Sequence, residues 1–193
     1  MITLDDGYFS NYNLVLPVIT ELRVPVTIFV CCGMIREDGI PPVPNTYIIS
    51  KLSMEELMIL QDSPYVQIQS HTYALHGVNI TADGMERDNI LPLDGEDMGA
   101  YKNIFSRDCA MAEEILRSIG VDTQIAFSFP SGKSHVWAEE VLLERGYRIV
   151  LTTDYHHRNR VIQGENASLL LLGRMNVNDD TTEEDLVLYL ERE

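Results

Sequence analysis

The sequence contains few cysteines, few basic residues and no long apolar run. Its three cysteines are Cys31, Cys32 and Cys109, and this odd number without a Cys-x-x-Cys spacing argues against a disulfide framework or a cysteine-based zinc site. The longest aliphatic run, 169–172, is far too short to span a bilayer. No charged segment followed by an apolar stretch marks a signal peptide. We therefore expect no membrane span and no targeting segment in these residues.

Positive charge is also scarce. The chain has 14 lysines and arginines against 30 aspartates and glutamates, which gives a formal net charge of -16. This charge opposes binding to nucleic acid and to anionic membrane surfaces. The hydrophobic content of 45% is typical of a globular chain with a sizeable core, and the length of 193 residues predicts a single domain, 1–193.

Short apolar runs alternate with amphipathic segments along the chain. The predicted strands are 1–4, 26–30, 65–71, 124–129 and 148–153, and the predicted helices are 14–22, 53–60, 101–119, 137–145 and one from 182. Ser53 followed by Glu56 predicts a capping box. Strands that alternate with helices predict a parallel α/β sheet or barrel. Two long connections, 32–50 and 77–99, follow predicted strands and are expected at the carboxyl edge of that sheet.

Two adjacent aspartates, Asp5 and Asp6, follow the first apolar run. Asp-Gly after such a run is typical of a β-hairpin turn, and this interpretation is favoured when the stretch is taken alone. In the alternative interpretation, residues 1–4 form a buried strand whose carboxyl end carries both carboxylates to a catalytic face.

A pair of histidines, His71 and His76, forms a second polar cluster. Their spacing places the side chains about 140° apart on a helix and on opposite faces of a strand, so neither regular element makes them converge. A turn through Tyr73 and Ala74 after a strand would do so; two unrelated surface histidines are the alternative. Together with Asp6, the pair would supply a two-His, one-carboxylate set for a divalent metal with an open position.

The stretches TLDDGY and SHTYALH closely resemble the first two motifs of the polysaccharide deacetylases, carbohydrate esterase family four. The longer His-Thr-x-x-x-His form is similar to the branch that includes poly-N-acetylglucosamine deacetylases. The resemblance implies an α/β fold, an incomplete, distorted (β/α) barrel whose first strand region is truncated here. It also implies metal-dependent hydrolysis of the acetamide of an N-acetylated amino-sugar polymer or oligomer.

The resemblance also implies roles for individual residues. Asp5 occupies the position of the family's general base. In that role it would take a proton from a metal-bound water, which is the nucleophile. The family's ligands for one divalent metal ion correspond to Asp6, His71 and His76. Zinc is the expected metal, with nickel, cobalt and iron as alternatives.

The stretch FSFPSG resembles the third motif of the family, which lines the substrate groove. Pro130, Ser131 and Gly132 are therefore implied to bind substrate, with a backbone N–H at Ser131 holding the oxyanion. The arginine that usually orients the base is missing from this motif. Arg174, near the end of the LLLLG strand, could pair with Asp5 instead, or could be a surface arginine at a strand end.

A general acid is harder to find. Family members use a histidine near the C-terminus, or one on an upstream Tyr-His strand, but no histidine follows His157 and the chain begins at MITLDD. We therefore expect a truncated or reduced form of a longer deacetylase, slow in turnover and prone to form homo-oligomers through its exposed strand edge.

Two other functions stay open at this point: a catalytically impaired relative that only binds glycan, and a small-amide hydrolase on the same barrel. The expected partner is an N-acetylated glycan, without nucleic acid and without a membrane span. The location is unknown from these residues, although the resemblance implies the cell envelope or the extracellular space if a longer form exists.

Overall fold

The structure is a computed structural model that describes residues 1–43, 49–76, 79–80, 86–87, 89–154 and 159–191. In this part of the chain the strands are β1 (Ile2–Leu4), β2 (Val26–Cys31), β3 (Val66–Thr72), β4 (Asn79–Ile80), β5 (Glu86–Arg87), β6 (Ala126–Ser128), β7 (Ile149–Thr152) and β8 (Leu172–Gly173). The α-helices are α1 (Leu16–Leu22), α2 (Met54–Gln61), α3 (Met98–Ser118), α4 (Val136–Glu144) and α5 (Glu183–Leu190). A π-helical segment, Asn11–Val15, leads into α1, and 3-10 turns occupy Cys32–Met34, Pro130–Gly132 and Asn166–Leu169.

Six strands form one sheet in the order β1-β2-β3-β6-β7-β8, and all of their pairings are parallel. Strands β4 and β5 form a separate antiparallel pair. The predicted alternation of strands and helices is thereby confirmed. Because the carboxyl ends of parallel strands share one edge, the residues that follow β1, β3, β6 and β8 meet there. Parts of the two long connections, 44–48 and 81–85 among them, lie outside the described residues, as does His157.

The sheet curls until its two edge strands approach each other. Arg174, directly after β8, donates a hydrogen bond of 3.0 Å to Thr3 Oγ1 in β1. Phe29, Ala126 and Leu151 pack together in a small buried cluster of their own. A larger cluster packs α1, α2 and part of α3 against β2 and β3. The result is the incomplete, distorted (β/α) barrel that the resemblance implied.

The hairpin interpretation of the first residues is wrong. Ile2 pairs in parallel with Val26, so the first strand finds its partner across a helix rather than across a tight turn. The Asp-Gly signal does mark a change of direction, because Asp6 and Gly7 have φ values of 73° and 66°. That turn leads into the segment Asn11–Val15 and not into an antiparallel strand.

Local side-chain caps set where two of the helices begin. The predicted capping box is present at α2, where Ser53 Oγ accepts the Glu56 N–H and the Glu56 carboxylate accepts the Ser53 N–H. Helix α3 begins three residues earlier than predicted, because the Asp97 carboxylate accepts the N–H groups of Gly99 and Ala100. A capping carboxylate satisfies N–H groups that the first turn of a helix leaves without partners.

A bulge interrupts the pairing of β2 with β3. Val30 is opposite Ser70, and the next residue, Cys31, is opposite Thr72, so His71 is passed over. A bulge inserts one extra residue into a strand and redirects its side chain, and bulges are frequent beside active sites. The bulge here falls at one of the two histidines of the second motif.

Candidate active site

The candidate site lies at the carboxyl edge of the curled sheet. Asp5 and Asp6 follow β1, and His71 is next to last in β3. Ser128 is the last residue of β6, and Arg174 follows β8 directly. These residues belong to strands far apart in the sheet order, and the curl of the sheet brings them together.

Asp6 contacts both histidines. Its Oδ1 lies 2.9 Å from His76 Nε2 and 3.5 Å from His71 Nε2. The two imidazole rings lie 5.2 Å apart between centroids, at an angle of 81°. The chain bends through Tyr73 and Ala74 after β3, and this bend returns His76 to the side of His71. The structure therefore brings together the three side chains that the sequence analysis selected as a set.

His71 is buried and its ring is oriented by the neighbouring strand. Its Nδ1 donates a hydrogen bond of 2.6 Å to the carbonyl oxygen of Ser128, and this leaves Nε2 without a proton on the side of Asp6. Burial lowers the pKa of His71 to about 4, so the ring is neutral near pH 7. A neutral imidazole with its second nitrogen held by a carbonyl oxygen is the form that binds a metal ion.

Several groups keep the Asp6 carboxylate ionised. Burial alone would raise its pKa, but the hydrogen bond with His76 and the positive charge of Lys51 outweigh burial and hold the pKa well below its usual value. Lys51 Nζ donates to the Asp6 carbonyl oxygen at 3.2 Å and lies 3.8 Å from the centre of the Tyr8 ring. Burial and a hydrogen bond to Asp6 raise the pKa of Tyr8 to about 12.

These donors fit a divalent metal ion. Two imidazole nitrogens and one carboxylate oxygen suit zinc, and also nickel, cobalt or iron(II). Three protein donors leave room for a water or substrate oxygen at the ion. The fit rests on the neutral state of His71, the ionised state of Asp6 and their convergence with His76.

Cys31 adds a sulfur to this group. It is the last residue of β2, and its Sγ lies 3.6 Å from Asp6 Oδ1. The ligand atoms of Asp6, Cys31 and His71 lie within 4.8 Å of one another. Burial raises the pKa of the Cys31 thiol, so the sulfur keeps its proton and donates to the carboxylate.

Asp5 has a different set of partners. Arg174 Nη1 donates to Asp5 Oδ1 at 2.8 Å, and Arg174 Nη2 donates to Asp5 Oδ2 at 2.7 Å. The Ser128 hydroxyl donates to Asp5 Oδ2 at 3.1 Å and accepts a hydrogen bond of 2.7 Å from Arg174. The expected contact between Arg174 and Asp5 is therefore present, in the bidentate geometry that fixes a carboxylate plane.

The Arg174 pair also sets the charge state of Asp5. Burial alone would raise the pKa of Asp5, but the hydrogen bonds and the charge of Arg174 outweigh burial and lower the pKa below its usual value. The Asp5 side chain keeps 27% of its surface exposed, so it is accessible from the solvent. The site thus contains two neighbouring ionised carboxylates, one held by imidazoles and one by a guanidinium.

The 3-10 turn Pro130–Gly132 follows β6 in the position of the third motif. Ser131 and Gly132 have φ values of 55° and 67°. A side chain at Gly132 would overlap Thr153 Oγ1, so this position requires glycine for space as well as for conformation. Ser131 is exposed and Pro130 is buried.

A family model gives the context for this geometry. The model for polysaccharide deacetylase matches residues 1–150, which include both the aspartate pair and the histidine pair. The chain belongs to the polysaccharide deacetylase family. Membership supports a hydrolase that acts on the amide bonds of acetylated glycans. No curated protein matches this sequence.

Three solved deacetylase structures are similar to this chain. The de-N-acetylase from Aggregatibacter actinomycetemcomitans superposes with a TM-score of 0.75 at 17% identity, over 97% of this chain and 73% of that chain. IcaB from Ammonifex degensii superposes with a TM-score of 0.71 at 21% identity, over 98% of this chain and 71% of that chain. The BpsB deacetylase domain from Bordetella bronchiseptica superposes with a TM-score of 0.65 at 23% identity, over 90% of this chain and 69% of that chain. At these identities the similarity establishes the deacetylase fold.

Two residues of this candidate site escaped the sequence analysis. Cys31 was noted only as a cysteine outside any zinc spacing, and Ser128 was not singled out within the stretch FSFPSG. Cys31 directly follows the predicted strand 26–30 and Ser128 is next to last in the predicted strand 124–129, so position at the carboxyl end of a parallel strand was the available signal for each. Among the described residues, no helix has the length and apolar character needed to cross a membrane.

Proposed function

We propose that this member of the deacetylase family uses a divalent metal ion to hydrolyse the acetamide of an N-acetylated amino-sugar polymer or oligomer, with release of acetate. The observation that carries the proposal is the unequal environment of two adjacent carboxylates. Asp6 contacts two imidazoles, whereas Asp5 is held by the Arg174 guanidinium. The first arrangement suits a cation, and the second suits a proton acceptor.

Asp6, His71 and His76 would hold the ion, with zinc favoured by the donor set. When bound, the ion would polarise the acetyl carbonyl and lower the pKa of a water toward ~7. Cys31 stays outside the proposed set because its Sγ is placed as a hydrogen-bond donor to the Asp6 carboxylate, 3.6 Å from Oδ1. It donates to Asp6 and helps to orient the carboxylate.

Asp5 is the proposed general base. It has three hydrogen bonds that orient both oxygens, two from Arg174 and one from Ser128. Its lowered pKa keeps it ionised at neutral pH, and its partial exposure leaves it accessible to water and substrate. An oriented, ionised and accessible carboxylate accepts the proton of the attacking water.

The turn Pro130–Gly132 is proposed to line one side of the substrate groove, and we call it the substrate wall. Among the described residues, none accepts a hydrogen bond from the Ser131 N–H, so this donor can serve a substrate oxygen. A backbone N–H held by a turn is preorganised for the tetrahedral oxyanion. The tight fit of Gly132 against Thr153 holds the turn in place.

The leaving amine also needs a proton. The described residues include one histidine besides the proposed ligands, His135, whose Nδ1 accepts the Trp137 N–H at 3.2 Å and caps α4. This role ties His135 to the helix. If no group outside the described residues donates this proton, turnover should be slower, by about 10²- to 10⁴-fold, than in a deacetylase with a positioned general acid.

The test combines metal analysis with acetate release. We expect the purified chain to contain about one divalent ion per molecule by mass spectrometry, and to release acetate from poly-N-acetylglucosamine or chitin oligomers. Chelation should stop the reaction, and added zinc or cobalt should restore it. Asp5→Asn should keep the metal and stop turnover, because it removes the base and leaves the Asp6 set in place.

Two results would contradict the proposal. One is acetate release at an undiminished rate after complete removal of the metal. The other is tight glycan binding by a metal-loaded chain without any acetate release, which would favour a binding protein instead. Release of acetate only from small acetamides would move the substrate from glycans to simple amides.

A further inference from the structure

The bend between His71 and His76 rests on a buried carboxylate from another element. Asp108, on α3, accepts the Tyr73 N–H at Oδ2 and the Ala74 N–H at Oδ1, each at 2.8 Å. Asp108 is only 6% exposed. Its two oxygens therefore hold consecutive amides of the bend that connects the two histidines.

The bend is also held from its other side. The Gly33 N–H, in the 3-10 turn after β2, donates to the Tyr73 carbonyl oxygen at 2.8 Å. A Cβ at Gly33 would lie 2.6 Å from that oxygen, so a larger residue would push the bend away. Tyr73 thus has its N–H held by Asp108 and its carbonyl held by Gly33.

A carboxylate in this position is costly to bury. The other buried residues of α3 are uncharged: Tyr101, Phe105, Cys109, Ala112 and Leu116. Burial raises the pKa of Asp108 to about 6, against the opposing effect of the backbone N–H groups that it accepts. An apolar side chain at this point of the helix would avoid the cost but would leave the amides of Tyr73 and Ala74 without acceptors.

We propose that Asp108 is a positioning residue, which holds the bend at 73–74 so that His76 reaches Asp6 beside His71. The inference rests on the proposed metal site and adds to it a residue from a helix that contributes no ligand. Three contacts carry it, namely the two amides held by Asp108 and the carbonyl held by Gly33. Without Asp108 the bend has fewer constraints, and the Nε2 of His76 loses its fixed distance to Asp6.

The test compares Asp108→Asn with Glu113→Gln. Glu113 lies on the same helix and pairs with Arg145 at 2.9 and 2.6 Å, so its substitution removes one charge and one partly buried ion pair without touching the amides of Tyr73 and Ala74. Residues that orient metal ligands typically change metal affinity by about 10- to 100-fold. We expect Asp108→Asn to weaken Co²⁺ binding by that factor and to change the visible spectrum of bound Co²⁺, which reports coordination geometry. Glu113→Gln should lower the melting temperature but keep the affinity and spectrum of the unmodified chain.

Equal affinity and equal Co²⁺ spectra for the unmodified chain and Asp108→Asn would overturn the inference while leaving the proposed function intact. Absence of Co²⁺ binding by the unmodified chain would overturn both. If Asp108→Asn does not fold, Gly33→Ala tests the same bend from its carbonyl side, and a loss of affinity is again expected. In the unmodified chain, the amide hydrogens of Tyr73 and Ala74 should exchange slowly; exchange as fast as in an open loop would also refute the inference.

Discussion

Replacement of Arg174 by methionine removes every hydrogen bond of its guanidinium group. These bonds go to the Thr152 carbonyl oxygen, Thr3 Oγ1, Ser128 Oγ and both oxygens of Asp5. Methionine has a similar length and keeps an apolar stem in the same space. The variant therefore leaves the Asp5 carboxylate half-buried without its cation.

The expected loss in the free energy of unfolding follows from how far the Arg174–Asp5 ion pair is buried. Arg174 is 13% exposed and Asp5 is 27% exposed, so the pair is more buried than a surface ion pair. Removal of one partner from a buried pair costs about 3–5 kcal/mol. Because solvent reaches part of Asp5, we expect a smaller loss in the free energy of unfolding at pH 7, about 2–3 kcal/mol.

The sign of the pH dependence is also defined. In the unmodified chain the pKa of Asp5 is lowered, so the ionised carboxylate stabilises the fold above its unfolded pKa of about 3.9, and this stability is lost as the pH falls through the folded pKa. In Arg174→Met, the hydrogen bonds and charge of the guanidinium no longer offset burial, and Ser128 and His71 alone oppose it, so the pKa of Asp5 rises and the ionised carboxylate stabilises the fold less. The stability difference between the two proteins should be largest at pH 7, smaller at pH 4, and smallest below the lowered folded pKa of Asp5 in the unmodified chain.

The assay measures urea unfolding at both pH values and acetate release across the pH range. Loss of an opposite charge at hydrogen-bond distance moves a carboxyl pKa by about 1–3 units. The acid limb of kcat/KM should therefore move upward by at least about one unit, while the metal content stays the same. Arg148→Met is the matched control, because Arg148 is exposed and, among the described residues, donates only to the carbonyl oxygens of Leu143 and Tyr147. An unchanged acid limb, together with equal stability losses at pH 7 and pH 4, would refute the reasoning.

Three further predictions concern the metal set and the substrate wall. His71→Ala should lose the metal by mass spectrometry whereas Asp5→Asn should keep it, and full metal retention in His71→Ala would contradict the ligand assignment. Cys31→Ser should keep the metal stoichiometry, because the thiol is placed as a hydrogen-bond donor to Asp6 and a serine hydroxyl can also donate; a Co²⁺ complex that loses a sulfur charge-transfer band on this substitution would show that the sulfur is a ligand. Gly132→Ala should lower the melting temperature and raise KM, because its Cβ would overlap Thr153 Oγ1; unchanged KM would remove the turn from the substrate wall.

The sequence contained enough local information to predict most of the elements. Strands such as β2 and β3 are continuous apolar or alternating runs, and the capping box at Ser53 and Glu56 is a pattern of neighbouring residues. The spacing of His71 and His76 required a bend between them, and the bend is present. Family resemblance supplied the selection of Asp5 and Asp6 as a functional pair.

Tertiary structure decided which residues surround those carboxylates. Arg174 and Asp5 are separated by 169 positions, and Ser128 and Asp5 by 123, so their contacts depend on how far the sheet curls. The parallel pairing of β1 with β2 overruled the local hairpin signal. The first strand is not the buried strand of the alternative interpretation, because it lies at the edge of the sheet and Ile2 is 50% exposed. Asp108 supports the histidine bend from a helix 34 positions beyond Ala74. The curl of the sheet, the register of its strands and the docking of its helices are decided by many weak contacts between distant parts of the chain. They therefore cannot be predicted from any short stretch of sequence.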